Sequence, residues 1–160
     1  MNRYLTYLAL FLRNRFLNAR VLDASSGVVV TLTSHSVRIK HAFAAIESIG
    51  EGSLKPARLI LYLGHDQEGQ ALPGTLKRLV SRGLEIRFCD DVGPHTKYYP
   101  HLIAESTLEL PLVTADDDTM MSRDWLATLM SRWRQEPEII HCFRAREIKL
   151  SDDRIEPFRN

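Results

Sequence analysis

Cysteine is scarce in this chain, with Cys89 and Cys142 alone among 160 residues. Two cysteines cannot frame a disulfide scaffold, and they lack any zinc spacing. They suit a reducing, cytosolic compartment, where each serves as a small apolar residue. A surplus of charge of one sign is also missing. Lys and Arg number 21 against 20 Asp and Glu, for a formal net charge of +1, which removes the electrostatic basis for a nucleic-acid binder. No apolar run approaches the roughly 20 residues that cross a bilayer. Disorder, collagen-like repeats and a global coiled coil are excluded by an ordinary composition, 44% hydrophobic and 26% charged. The length is that of one domain.

Several motifs are absent as well. The sequence holds no GxxxxGK[ST], no GxGxxG after its first strand and no GxSxG. P-loop, dinucleotide-binding and α/β-hydrolase readings are therefore weak.

What is present begins with a short apolar segment, Tyr4 to Leu12, followed by Arg13, Arg15 and Arg20. It has no small-residue cleavage site, so it does not read as a signal peptide. Two uses fit it: a helix packed on the domain, or a basic amphipathic helix on the inner face of an anionic membrane. Residues 1–25 are thus set apart as a helix and linker, and 26–160 as the main domain.

From residue 28 the pattern alternates. Strands are expected at 28–33, 58–63, 84–88, 110–115, 139–143 and 146–150. Helices are expected at 37–49, from Pro73 to Gly83, at 96–108, and at 122–134 with Ser122 as its cap. This alternation predicts an α/β fold, with a mostly parallel, Rossmann-like central sheet and helices on both faces.

In such a sheet, ligands bind past the carboxyl ends of the strands. The residues there are polar: Thr31, Thr33, Ser34 and His35; His65 and Asp66; Asp90 and Asp91; then Asp116, Asp117 and Asp118. The triplet is the strongest signal. In an extended chain, Asp116 and Asp118 point one way and Asp117 the other. Two carboxylates on one side call for a cation. Oxygen-only ligation suits Mg²⁺ or Mn²⁺, which complete their shells with water and phosphates. An acidic cap on the next helix is the plainer use. Lys97 fits either a phosphate or Asp90 or Asp91, and Arg38 fits a ligand or an acidic neighbour.

The strings VVVTLTSHSVR, LILYLGHD, LEIRFCDDVGPHTKYYPHL and LVTADDDTMMSRDWLATLM together resemble the nucleotide-sugar-dependent glycosyltransferases of the GT-A fold. Bacterial family-2-like members are the most similar. The specific part is a DXD motif at the end of the fourth strand, followed by a helix with Trp125 and Leu126. The resemblance implies a nucleotide-diphosphate sugar as donor and a glycan or lipid-linked acceptor. It implies donor contacts at Thr31, Thr33, Arg38, Asp90, Asp91, Lys97, Asp116 and Asp117, and Mn²⁺ or Mg²⁺ held by Asp116 and Asp118. It also implies an acceptor-facing region and an acidic general base after the DXD. Glu147, Asp152 and Asp153 are nearby acids, but no base is identified. A catalytically incomplete nucleotide-binding or partner-interaction module is the alternative. Haloacid-dehalogenase-type phosphatases place their acids after the first strand, and Toprim nucleases need a glutamate there, so neither matches.

Overall fold

The structure, a computed structural model, describes residues 3–105 and 107–145, and the backbone of 150–151 and 154–155. It comprises two compact units, residues 1–128 and 129–160.

The first unit opens with helix α1, Arg3–Phe16. Strands β1, Val29–Thr33, and β2, Arg58–Gly64, follow, joined through helix α2, Phe43–Gly50. Helix α3, Gly74–Val80, leads to β3, Glu85–Cys89. Helix α4, Tyr99–Ala104, leads to β4, Leu112–Thr114. Helix α5, Trp125–Gln135, comes next. The four strands form one all-parallel sheet in the order β3-β2-β1-β4. The chain is therefore an α/β protein of Rossmann-like character with an N-terminal helix, as the alternating pattern predicts.

Register explains why the sheet's two faces differ. Val30, Leu32, Leu59, Leu61 and Leu63 share one face, and all are fully buried. They are matched by the buried Phe43, Ile46 and Ile49 of α2 and Leu76 and Leu79 of α3. Burying a side chain of this size stabilises by about 1.5–3 kcal/mol. The other face mixes Val29, Ile60 and Tyr62 with Thr31, Arg58, Glu85 and Arg87.

Helix α1 packs on α2 and α3. Leu10 and Asn14 are buried, and Tyr7 and Phe11 meet the Phe43 ring edge-on at centroid distances of 5.3 and 6.0 Å. Asn14 Nδ2 donates to Glu47 Oε1 at 2.9 Å and to the Thr75 carbonyl at 3.1 Å. Glu47 is fully buried and also pairs with Arg82 and Arg13. After α1 the chain presses on two glycines. A Cβ at Gly50 would lie 2.6 Å from Val21 Cγ1, and one at Gly83 would lie 2.7 Å from Leu22 Cδ1. Gly83 also adopts φ +114°, a region that L side chains rarely adopt.

Several boundaries depart from the sequence pattern. The expected 37–49 helix starts with a 3-10 turn, Ser36–Lys40, and becomes α-helical only at Phe43. The expected 96–108 helix is split into a 3-10 turn, Gly93–Lys97, and α4, because Pro100 has no N–H to continue the ladder. Helix α5 starts at Trp125 rather than just after Ser122. Strand β4 is shorter than 110–115: Pro111 cannot donate to the ladder, although its carbonyl accepts from Val29 N at 3.0 Å. No strand forms at 139–143. There Ile139 N turns back to the Glu136 carbonyl at 3.2 Å, which removes the donor a ladder would use. Of the expected 146–150 strand, residues 146–149 lie outside the described residues. Leu150–Ser151 pairs antiparallel with Arg154–Ile155.

Candidate site at the strand ends

Strands β1, β2 and β3 step outward in one direction, while β4 lies on the opposite flank of β1. The strand order reverses between β1 and β4, and the carboxyl ends at such a reversal are the common ligand position in open α/β sheets. Two segments meet there. Ser34 through Arg38 leaves β1, and Asp116 to Asp118 leaves β4.

Asp117 joins them. Its Oδ2 accepts from Ser34 Oγ at 2.5 Å, and its Oδ1 accepts from Arg38 Nη2. The same guanidinium nitrogen donates to Asp118 Oδ2 at 2.9 Å. The bond to Asp117 holds the Arg38 guanidinium above its already high ordinary pKa. Ser36 sits between these partners at φ +50°, in the left-handed region. The reversal it creates directs Arg38 back towards β4.

Exposure alternates along the triplet, but the backbone turns at Asp117 and Asp118 and one Arg38 nitrogen reaches both side chains, so the opposed directions expected of an extended chain are not kept. Asp117 is buried, whereas the Asp116 and Asp118 side chains are 60% and 62% exposed. Asp116 accepts from Lys97 Nζ at 2.5 Å. Lys97 reaches it because the Gly93–Lys97 turn crosses back from the β3 edge towards β1. Asp91 anchors that turn: its Oδ1 accepts from Gly93 N at 2.8 Å and from Thr96 Oγ1 at 3.2 Å. Thr96 in turn accepts from Val92 N at 2.9 Å.

The residues singled out from sequence thus fall into three groups. Arg38, Lys97, Asp116, Asp117 and Asp118 converge. Asp91 builds the loop that delivers Lys97, and the exposed Asp90 stays at the β3 end, two strands from β1. Thr31 is fully buried, and its Oγ1 has no hydrogen-bond partner among the described residues. Thr33 donates to the Tyr62 carbonyl at 3.2 Å. Ser34 was not singled out beyond its place after the strand, yet it holds the central aspartate. Its signal was position alone, the first residue past β1. Arg3 was also unanticipated; its Nη2 lies 3.5 Å from the Asp118 carbonyl oxygen.

The donor set can be tested against a divalent ion. Among the described residues, no three His, Cys, Asp or Glu side chains group as a metal set. The site offers two exposed carboxylates, Asp116 and Asp118, each paired with a basic side chain. One or two carboxylates completed by water and phosphate oxygens are an ordinary Mg²⁺ shell. Both carboxylates are engaged by Arg38 and Lys97 in this structure. As for a general base, Asp124 accepts from Ser53 Oγ at 2.7 Å, while Glu147, Asp152 and Asp153 lie outside the described residues.

The opposite end of the sheet is also charged, and Val29, Arg58, His101 and Glu105 help line a cavity of about 270 Å³ there. Arg58 binds Glu85 with two bonds of 2.9 Å and Glu105 with one of 3.1 Å. Arg58 holds the carboxyls of Glu85 and Glu105 below the usual range. His101 lies buried nearby, and burial pushes its pKa down.

Comparison with known proteins adds no relative: no family model matches the chain, and neither does any curated protein or solved structure.

Proposed function

We propose that the strand-end cluster binds the diphosphate of a nucleotide sugar, and that the protein is a metal-dependent glycosyltransferase. One observation carries this reading. Two cations and three carboxylates from three separate segments converge where the strand order reverses, and the outer two carboxylates stay open to solvent. The resemblance to GT-A enzymes supplies the substrate class.

The chemistry follows from electrostatics. Glycosyl transfer breaks the bond from the anomeric carbon to a diphosphate, so negative charge grows on the leaving group. Arg38 and Lys97 are placed to meet that charge, Arg38 with a planar fork and Lys97 as a point charge. Asp116 and Asp118 would hold Mn²⁺ or Mg²⁺, which when bound supplies Lewis-acid neutralisation of the diphosphate. Asp117 is buried and already bonded to Ser34 and Arg38, so on this reading it acts through them. It positions Arg38, and through Ser34 it ties β4 to β1.

A second reading has its own observation. Every member of the triplet is already met by a protein cation, as in a self-satisfied structural ion cluster. On that reading the domain is a catalytically incomplete module. Calorimetric titration of UDP and GDP, with and without Mn²⁺, separates the two. Saturable binding that needs both the metal and Asp118 supports the donor site. A folded protein that binds neither nucleotide under either condition sinks it, and leaves the structural module.

A further inference from the structure

Helix α1 has two apolar faces, and packing uses only one. The inner face buries Leu10 and sets Tyr7 and Phe11 against Phe43. On the outer face Leu5, Leu8, Leu12 and Phe16 recur at helical spacing, with exposures of 62, 52, 46 and 70%. Tyr4 flanks the stripe at 84% exposure. Arg15 lies on the same side, its guanidinium 5.7 Å from the centre of the Phe16 ring. A row of large exposed apolar side chains on one helix is more than the scattered surface residue that needs no explanation.

Charge identifies what fits this face. The first acidic residue of the chain is Asp23, and before it stand Arg3, Arg13, Arg15 and Arg20. Arg13 is occupied by Glu47 and Arg3 lies against the Asp118 carbonyl, which leaves Arg15 and Arg20 for an outside partner. A second copy of the same face would bring like charges together. It would also be small: a 14-residue helix is about 21 Å long, so the strip covers roughly 200 Å², against about 800 Å² per partner in a stable interface. An anionic bilayer surface answers both points. Headgroups complement the arginines, Leu and Phe enter the acyl boundary, and no large area is needed. Among the described residues no helix is long and apolar enough to cross a membrane, so this contact is peripheral.

We propose that α1 docks the protein on anionic membrane surfaces through the Leu5–Leu8–Leu12–Phe16 stripe, with Tyr4 at its edge and Arg15 as the headgroup contact. The proposal does not depend on what the strand-end cluster binds.

Flotation of the full chain with phosphatidylcholine vesicles, with and without phosphatidylglycerol, tests it in the absence of any nucleotide. The protein is expected to float with the anionic vesicles, at least about tenfold more than with neutral ones, and to be released as salt screens the charge. The double variant Leu8→Glu/Leu12→Glu should lose about tenfold or more of that binding. Both positions are exposed, so its thermal midpoint should match the wild type. Arg15→Glu should weaken binding to the anionic vesicles and leave the neutral ones unchanged. A wild-type protein of normal thermal midpoint that stays with the soluble fraction in both cases overturns the proposal. So does a dimer that the double variant converts to monomer, since a second copy then covers the stripe.

Discussion

Ser34 and Asp117 are hydrogen bonded across the point where the sheet reverses its strand order. The bond is buried, and it joins residues 83 positions apart. It makes the middle aspartate of the triplet a structural residue and leaves its two neighbours outside.

That division predicts opposite behaviour for adjacent residues. Asp117→Ala strands the buried Ser34 hydroxyl and removes the main partner of Arg38, so it should cost about 1–3 kcal/mol of stability. Asp118→Ala breaks an exposed pair and should change stability by less than about 1 kcal/mol, while abolishing the metal-dependent nucleotide binding proposed above. Urea unfolding of the two variants, set beside the calorimetric titration, checks both halves. Equal stability losses would show that exposure does not separate the roles.

Glu47 is the anchor of α1. It is fully buried, and Arg82 holds it with two bonds, the longer at 3.0 Å. Removing one partner of such a pair leaves charge buried and unmatched, at a cost of about 3–5 kcal/mol. Glu47→Ala should show that loss by urea unfolding. Exposed Glu51→Ala, one turn further on, should fall within about 0.5 kcal/mol of the wild type. A small loss for Glu47→Ala would mean that the cluster tolerates an unpaired Arg82.

Burial lowers the pKa of His101, with Glu105 and Glu85 opposing and Arg58 and Arg87 assisting the shift. The sign follows from proton counting. Between the ordinary histidine value of about 6.5 and its lower folded value, the unfolded chain binds a proton that the folded chain does not. Stability from this group is complete above about pH 6.5 and declines as pH falls through that window. Glu85 and Glu105, held below the ordinary glutamate range by Arg58, lose their contribution only at lower pH. Urea midpoints at pH 7.5 and 5.5 should therefore differ, and His101→Asn should reduce the difference. An unchanged slope in the variant would assign the pH dependence elsewhere.

The sequence made some parts legible and hid others for physical reasons. The β-branched run of β1 and the leucine-rich β2 are central strands, and both faces of such strands are read directly from composition. Strand β4 was harder to delimit, because Pro111 supplies an acceptor to the ladder but no donor. The apolar 139–143 run looked like a fifth strand, but apolarity does not provide a neighbour to pair with. In the site, the gathering of acids past β4 is legible from the strand pattern, but the turn at Asp117 and Asp118, which lets one Arg38 nitrogen reach both, is not. The turn that carries Lys97 across the sheet is not legible either. It depends on Asp91 accepting from Gly93 and Thr96, a side-chain hydrogen-bond pattern shared by many Asp-containing loops. Ser36 in the left-handed region gives no sequence signal either, since glycine is the usual marker of that conformation.

The three-residue length of β4 bears on how the molecule assembles. Strands β1 and β2 pair over five positions and are close in sequence, whereas β4 meets β1 over three and closes a loop of about eighty residues. Such a seam is slow to form, because chain entropy is lost before contacts repay it. It is also inexpensive to open locally. The acidic triplet hangs from this seam, so its placement rests on the shortest pairing of the sheet.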